Sequence, residues 1–282
     1  MKHAFLILAH DEEIVLSKLI RSLDDARNDI YVHWDAKSGA LPDIRAEHAG
    51  LYFTDERVAV NWGAFSMVEA EYVLFRAAST KGPYAYYHLI SGVDLPIKTQ
   101  DQIHDFFERN EGKEFIGFAD ASDDEIQYRA NQYFLFSECF KSRNLVKRAI
   151  RNAALAFQKL FHIQRNSGLS IKKGSQWCSL THLFVQYLMD KKDYVSEIFH
   201  NTFCPDEMFI QTLCFNSDFY HSVYDTESEF NGNKRYIKWV DGELRGLEES
   251  DLDDMLGSDR MFARKFSSEN MVLIDKLITF VR

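Results

Sequence analysis

The chain has 282 residues, 46% hydrophobic and 27% charged, with 33 Lys and Arg against 43 Asp and Glu for a net charge of −10. That allows a large buried core and excludes a general nucleic-acid binder, a membrane span of roughly 20 apolar residues and, because Asp11, Glu12 and Glu13 follow the short apolar start at once, a secretory signal core. The four cysteines (Cys139, Cys178, Cys204, Cys214) lack C-x-x-C spacing, so reduced thiols in a cytoplasmic protein are expected, with no disulfide framework or metal site.

Residues 4–9 form a continuous apolar run, the pattern of a strand buried on both faces, and His10 and Asp11 end it. Ile14, Leu16, Leu19, Ile20 and Leu23 predict a helix, and 30–34 a second strand ending at Asp35. A strand–helix–strand opening predicts a mostly parallel sheet, whose ligands bind beyond the carboxyl ends of the strands, where His10 and Asp35 fall. No Gly-rich phosphate fingerprint follows the first strand, which argues against an ordinary dinucleotide fold. Short strands are predicted at 51–53 and 58–60, then a turn at Asn61-Trp62-Gly63 and a helix capped by Ser66. Residues 84–90 read as a strand running into the turn Ser91-Gly92-Val93-Asp94-Leu95-Pro96, where Asp94 organises the turn or faces a ligand. Thr99 to Gln102 reads as a capping box for a helix through Arg109, and 115–118 as a further strand.

Between residues 141 and 173 there are nine Lys or Arg and no acid, so the rest of the chain carries −19. Within this segment 145–163 predicts an amphipathic basic helix with Val146, Ala149, Ile150, Ala153, Phe157, Leu160 and Phe161 on one side. Three readings stand: the stripe packs on the sheet beneath a solvated basic face, the segment binds acceptor, or it contacts anionic lipid peripherally at the inner membrane face. Residues 174–180 read as a turn into a strand, and Thr181 caps a helix through Asp190. In Phe203-Cys204-Pro205-Asp206-Glu207-Met208-Phe209-Ile210, Pro205 suits the first position of a helix and Asp206 and Glu207 its first turn. Acids there favour the helix dipole, but a carboxylate at the mouth of a packed helix is also placed to act as a general base. A strand at 235–239, an acidic region, residues 261–266 and a helix starting near Asn270 complete the chain.

These pieces, in order, resemble one family. Ser91-Gly92-Val93-Asp94-Leu95-Pro96-Ile97-Lys98-Thr99, Gly174-Ser175-Gln176-Trp177, Pro205-Asp206-Glu207 and Phe262-Ala263-Arg264-Lys265-Phe266 are similar to blocks of glycosyltransferase family 14. His33-Trp34-Asp35 and Asn61-Trp62-Gly63 match further elements of it. That family contains the Core-2/I-branching β-1,6-N-acetylglucosaminyltransferases and the peptide O-xylosyltransferases. The resemblance implies an α/β GT-A-like fold, with a mostly parallel Rossmann-like central sheet flanked by helices. It also implies a UDP-sugar donor, inversion at the anomeric carbon, and no metal or other cofactor.

Carried over, Glu207 is the base, and Arg235 and Lys265, with Arg264 beside it, hold the diphosphate. Leu8, Ala9, His10, Asp35, Ala36 and Lys37 hold the nucleoside end, Trp62 adds to the donor site, and Asp94, Trp177 and Asp206 belong to the sugar or acceptor pocket. The literal D-x-D at Asp251 and Asp253 sits among other acids and reads as structural. The animal members carry a membrane anchor and many disulfides, so this chain looks like a compact bacterial relative. One domain over 1–282 is expected, with nucleotide binding in about 1–120 and acceptor binding and catalysis in about 121–282. The expected activity is transfer of GlcNAc, xylose or a related hexose to a glycan hydroxyl, carried on a lipid or free, in bacterial surface polysaccharide assembly. The alternative is an inactive UDP-sugar or glycan-binding module; a hydrolase lacks an identifiable nucleophile or water-activating metal site.

Overall fold

The apolar run at the start of the chain becomes the central strand of the computed structural model, which describes residues 1–141, 144–166 and 168–281. In chain order the strands are β1 (His3–Ala9), β2 (Asn28–Trp34), β3 (Gly50–Phe53), β4 (Tyr86–Ser91), β5 (Leu95–Pro96), β6 (Cys178–Thr181), β7 (Arg235–Ile237), β8 (Trp239–Val240), β9 (Glu243–Leu244) and β10 (Phe262–Arg264). The main sheet has the order β3-β2-β1-β4-β6; the first four strands are parallel and β6 runs antiparallel to β4.

Every residue of β1, β2 and β4 is buried, because helices cover both faces. Side chains alternate along β1. Ala4, Leu6 and Leu8 join one core with the helices Phe65–Ser79, His182–Asp190 and Phe209–Phe215, while Phe5, Ile7 and Ala9 join another with Glu13–Ser22, Gln100–Arg109 and Met271–Val281. The expected α/β architecture with a mostly parallel sheet flanked by helices is present. A second sheet, β5-β10-β7, sits beside the carboxyl ends of the first. Its β10 runs parallel to β7, with Phe262 opposite Arg235 and Arg264 opposite Ile237.

Thr99 forms the expected capping box with Gln102, and Thr181 caps His182–Asp190 through the Phe184 amide. Other expectations are corrected. Residues 58–60 are not a strand: the Val58 amide donates to His33 Nε2 at 2.8 Å and its carbonyl accepts from the Ala36 amide, so both groups pair with the chain around β2. Residues 115–118 form no strand and pair with β6 through a single bridge, from Phe115 to Ser179. The helix after Trp62 begins at Phe65 with Ala64 as a side-chain-free cap; the Ser66 hydroxyl instead accepts from the Asn61 amide and donates to Glu138. Pro205–Glu207 is a separate 3-10 turn, broken from the helix Phe209–Phe215 by Met208 at φ −135°.

The predicted basic helix spans Leu145–Leu160, but its apolar stripe does not pack on the sheet: Leu145, Val146, Ile150, Phe157 and Leu160 are all exposed. Arg143, one of the nine cations counted above, lies outside the described residues.

Candidate active site

The carboxyl ends of β1, β2 and β4 open onto a cavity of about 1080 Å³, the position at which ligands meet sheets of this kind. Leu8, Ala9, His10, Asp35, Lys37, Trp62, Trp177, Asp206, Glu207, Arg264 and Lys265 line it. Ala36, Asp94 and Arg235 are not among its lining residues.

At the strand ends the floor is made largely of backbone. Gly92 passes so close to β1 that a Cβ there would lie 2.8 Å from that of Ala9, so only glycine lets the chain after β4 close against it. The buried Asp35 carboxylate accepts from the Lys37 amide at 2.7 Å and fixes the 3-10 turn Ala36–Ser38. In that turn Ala36 points to solvent and Lys37 leans across to the Val60 carbonyl and to Asn61 Oδ1 at 3.2 Å. His10 is exposed, with Nε2 3.2 Å from Asp11.

Glu207 is held from several directions. Its carbonyl accepts from the Gly174 amide at 2.9 Å, a contact that needs glycine because a Cβ at 174 would fall 1.9 Å from the Gly117 oxygen. The turn before it is tied to the Trp62 loop by the Cys204 amide, which donates to the Gly63 carbonyl at 2.9 Å. Its side chain is 40% exposed, and Oε2 accepts from Arg129 at 2.6 Å. Arg129, only 8% exposed, also donates to Glu125 at 3.1 Å and to the Cys204 carbonyl at 3.2 Å, and Lys173 approaches Glu125 at 2.7 Å. Burial works to lower the Arg129 pKa, but the Glu207 charge and hydrogen bond outweigh it and the net shift is upward. Among the described residues none donates to Glu207 Oε1, which leaves that oxygen for a ligand.

Two more acids lie behind Glu207. Asp206 is buried with Oδ1 unpartnered; burial and the Glu207 charge push it up to about 7. Glu71, fully buried on the helix Phe65–Ser79, accepts from Gln176 at 2.6 Å through one oxygen, the other having no partner. Burial and Asp206 raise it well above the usual carboxylate range.

The small sheet supplies the cations. The Arg264 guanidinium lies 4.4 Å from the centroid of the Trp177 ring and 3.4 Å from Asp94, and burial lowers its pKa. Lys265 follows it and is exposed. Trp62 is 52% exposed, with the Lys141 ammonium 4.8 Å from its ring, so both expected tryptophans face the cavity.

Two expectations change with this placement. Asp94 is fully buried, accepts from the Ser91 amide and hydroxyl, and faces Arg264; it shapes the turn and anchors that guanidinium rather than entering the cavity. Arg235 is 1% exposed and donates to the carbonyls of Asn233 at 2.6 Å and Cys178 at 2.7 Å, so it cannot reach a diphosphate in the cavity. Asp251 likewise sits away from the cavity, its carboxylate taken by Lys238, by Arg245 at 2.5 Å and by the Glu248 amide at 2.9 Å.

Arg129, Glu71 and Gln176 form parts of the site that the sequence reading did not single out. For Arg129 a signal existed: Ser122 followed by Asp123, Asp124 and Glu125 marks a helix start, and Ser122 does cap Asp123–Ala130. That helix puts Arg129 one turn beyond Glu125.

The chain is similar to several known proteins. Xylosyltransferase 2 of Canis lupus familiaris is 22% identical over 248 residues, 84% of this chain and 26% of its own length. Xylosyltransferase 1 of Homo sapiens is 22% identical over 247 residues, 84% of this chain and 24% of its own. The chain thus spans about a quarter of the length of these relatives. A solved structure of mouse xyloside xylosyltransferase 1 in its apo form aligns over 75% of this chain and 80% of its own at 12% identity, with a TM-score of 0.30, too low to bear on the fold. The model of the family described as Core-2/I-Branching enzyme matches residues 3–256, and the chain belongs to that family.

Proposed function

We propose that this protein transfers a glycosyl group from a UDP-sugar to a hydroxyl of a glycan, with inversion at the anomeric carbon and with Glu207 as the base. The observation that carries this reading is one cavity lined by a braced carboxylate, Glu207, and by two cations, Arg264 and Lys265. The acceptor oxygen attacks the anomeric carbon as its proton passes to Glu207 Oε1; the bond from that carbon to the diphosphate oxygen breaks, and UDP leaves with the electron pair. Negative charge grows on the departing diphosphate, and cations at the site stabilise it more than water does, one held in a buried place and one reaching in from the exposed rim. Arg264 and Lys265 take that role, so neither a metal nor another cofactor is required. The ends of β1 and β2, with Asp35 and Lys37, hold the nucleoside. Trp62 and Trp177 offer ring faces to the sugars.

The donor sugar is xylose, GlcNAc or a related hexose, a choice supported by the names of the relatives and of the family. Four free cysteines suit a reducing compartment, and a glycan assembled at the cytoplasmic side, such as a bacterial surface polysaccharide, fits as acceptor. The test is UDP release over a panel of UDP-sugars and oligosaccharide acceptors in excess EDTA, alongside UDP binding by calorimetry. Acceptor-dependent UDP release in EDTA is expected. Activity that disappears in EDTA and returns with Mn²⁺ overturns metal independence, and UDP binding without release of UDP from any donor leaves a binding module.

A further inference from the structure

The helix Leu145–Leu160 is built the wrong way round for a helix of a soluble domain. Such a helix turns its apolar stripe to the core and its charges to water. Here Leu145 is 75% exposed, Phe157 55%, Leu160 73% and the following Phe161 59%. Only Gln158 is buried, and it clamps the helix to the body: its Oε1 accepts from the Tyr133 amide at 2.7 Å and its Nε2 donates to the Tyr133 carbonyl at 2.9 Å. At about 100° per residue, Gln158 lies roughly 140° from the centre of the apolar stripe, so the clamp holds that stripe outward.

The charges complete the pattern. The helix carries Lys147, Arg148, Arg151 and Lys159 and no acid, in a protein whose net charge is −10. Lys159 and Arg148 are exposed beyond the Leu145 edge of the stripe, about 120° and 140° from its centre; Arg151 lies 4.9 Å from the Phe140 ring and Lys147 5.7 Å from that of Phe136. An acidic partner protein could answer the cations, but the outward phenylalanines and leucines between them match a surface that is anionic at its face and apolar just beneath it.

We infer that this helix lies in the plane of an anionic lipid bilayer, with Leu145, Phe157, Leu160 and Phe161 below the headgroups and Arg148 and Lys159 among the lipid phosphates. Amphipathic helices with a basic polar face bind membranes in this way, by apolar burial together with attraction to anionic lipid. The placement has a consequence for the site. Glu138, Phe140 and Lys141, which line the cavity, lie a few residues before the helix, so docking brings the cavity mouth close to the lipid. On the proposed function above, the acceptor is then a glycan carried on a lipid; docking itself stands apart from that reading.

The test is flotation of the full chain with vesicles of phosphatidylcholine alone and with 30 mol % phosphatidylglycerol. Every residue changed is exposed, which spares the fold, and melting curves check this. Binding to the anionic vesicles at low salt is expected, at least about tenfold above neutral vesicles, since each cation near the surface adds about fivefold. It should fall in high salt. Arg148→Glu with Lys159→Glu, and separately Leu145→Ser with Phe157→Ser and Leu160→Ser, should each release the protein. Absence of the parent from anionic vesicles at low salt overturns the inference. So does retention of binding by both variants, and so does a dimer in sedimentation that the serine variant dissolves while vesicle binding is absent. UDP release from soluble donor and acceptor is read in parallel, so that loss of docking and loss of the transferase reading are told apart.

Discussion

On one wall of the cavity Glu207 is held by the Arg129 hydrogen bond at 2.6 Å, by the Gly174 amide through its own carbonyl, and by a turn tied to Gly63. On the other, Lys265 is exposed and takes part in no ion pair among the described residues. Both are charged groups at the same opening, yet one is fixed in advance and the other feels the longer-range charge of Glu12, with no ion pair among the described residues. A base must meet its proton within hydrogen-bond reach, and small misplacements cost rate. A cation meant for a diphosphate gains by waiting unpaired, because an internal acid would have to be displaced first. Arg264 stands between the two: it is buried, stacked on Trp177 and faced by Asp94, a rigid cation at the edge of the braced wall.

The comparison can be broken most severely at Glu207. Glu207→Gln keeps size and burial but removes the base, and turnover should fall by about 10² to 10⁴ while the dissociation constant for UDP stays within about twofold. Single-turnover kinetics beside calorimetry reads both; turnover within a few-fold of the parent removes Glu207 from the chemistry. Arg129 comes next. If the bracing matters for rate, Arg129→Ala should lower kcat by about 10²-fold with little change in donor KM, and Arg129→Lys should recover part of the loss. An equal loss in kcat/KM and in UDP affinity would mean that Arg129 merely supports the fold of the turn.

The free wall is tested through binding. Lys265→Ala removes a charge-assisted hydrogen bond to the diphosphate, so UDP should bind about 10- to 100-fold more weakly while uridine binding is unchanged. Equal weakening of both ligands would place Lys265 at the nucleoside instead.

The two walls also differ in how far the sequence revealed them. β1, β2 and β4 are apolar runs long enough to be unambiguous, and Leu8, Ala9, His10, Asp35 and Lys37 at the carboxyl ends of the first two, but not Ala36, line the cavity. Arg235 shows where such reading stops. In the small sheet it stands level with Phe262, two residues before Arg264, which is roughly 7 Å short of the strand end that meets the cavity. The sequence predicts a strand for Arg235 and leaves 261–266 without an element; only the pairing register separates the arginine in the core from the one in the wall. Arg129 was missed for a different reason. Its partner Glu207 is 78 residues away, and no local pattern announces a contact across that distance. The helix Leu145–Leu160 was legible as a period but not as an orientation: hydropathy finds the stripe, while the Gln158 clamp decides which way it faces.

The smallest expected effect sharpens the braced wall from within. Asp206 sits beside Glu207, buried and without a partner for Oδ1, and titrates near 7 because burial and the Glu207 charge both disfavour its ionised form. In the unfolded chain its pKa is about 3.8, so the folded value is raised. The sign follows: this group's contribution to stability is fully present below the unfolded value and is lost as pH rises through about 7. Asp206→Asn removes that loss, so the melting temperature of the variant should gain on the parent as pH rises from about 4 to about 7 and hold a constant lead above it. The same ionisation should appear in the rate. A second negative charge at the site favours arrival of the acceptor's proton there, so the parent's kcat should rise about two- to fivefold as pH crosses 7, and the variant should lack that step. Glu71, close behind and raised in the same direction by burial and by Asp206, remains in both proteins and is the rival source of any such step. If the step near 7 persists in Asp206→Asn, the titrating group is Glu71 or the substrate, and Asp206 has no part in tuning the base.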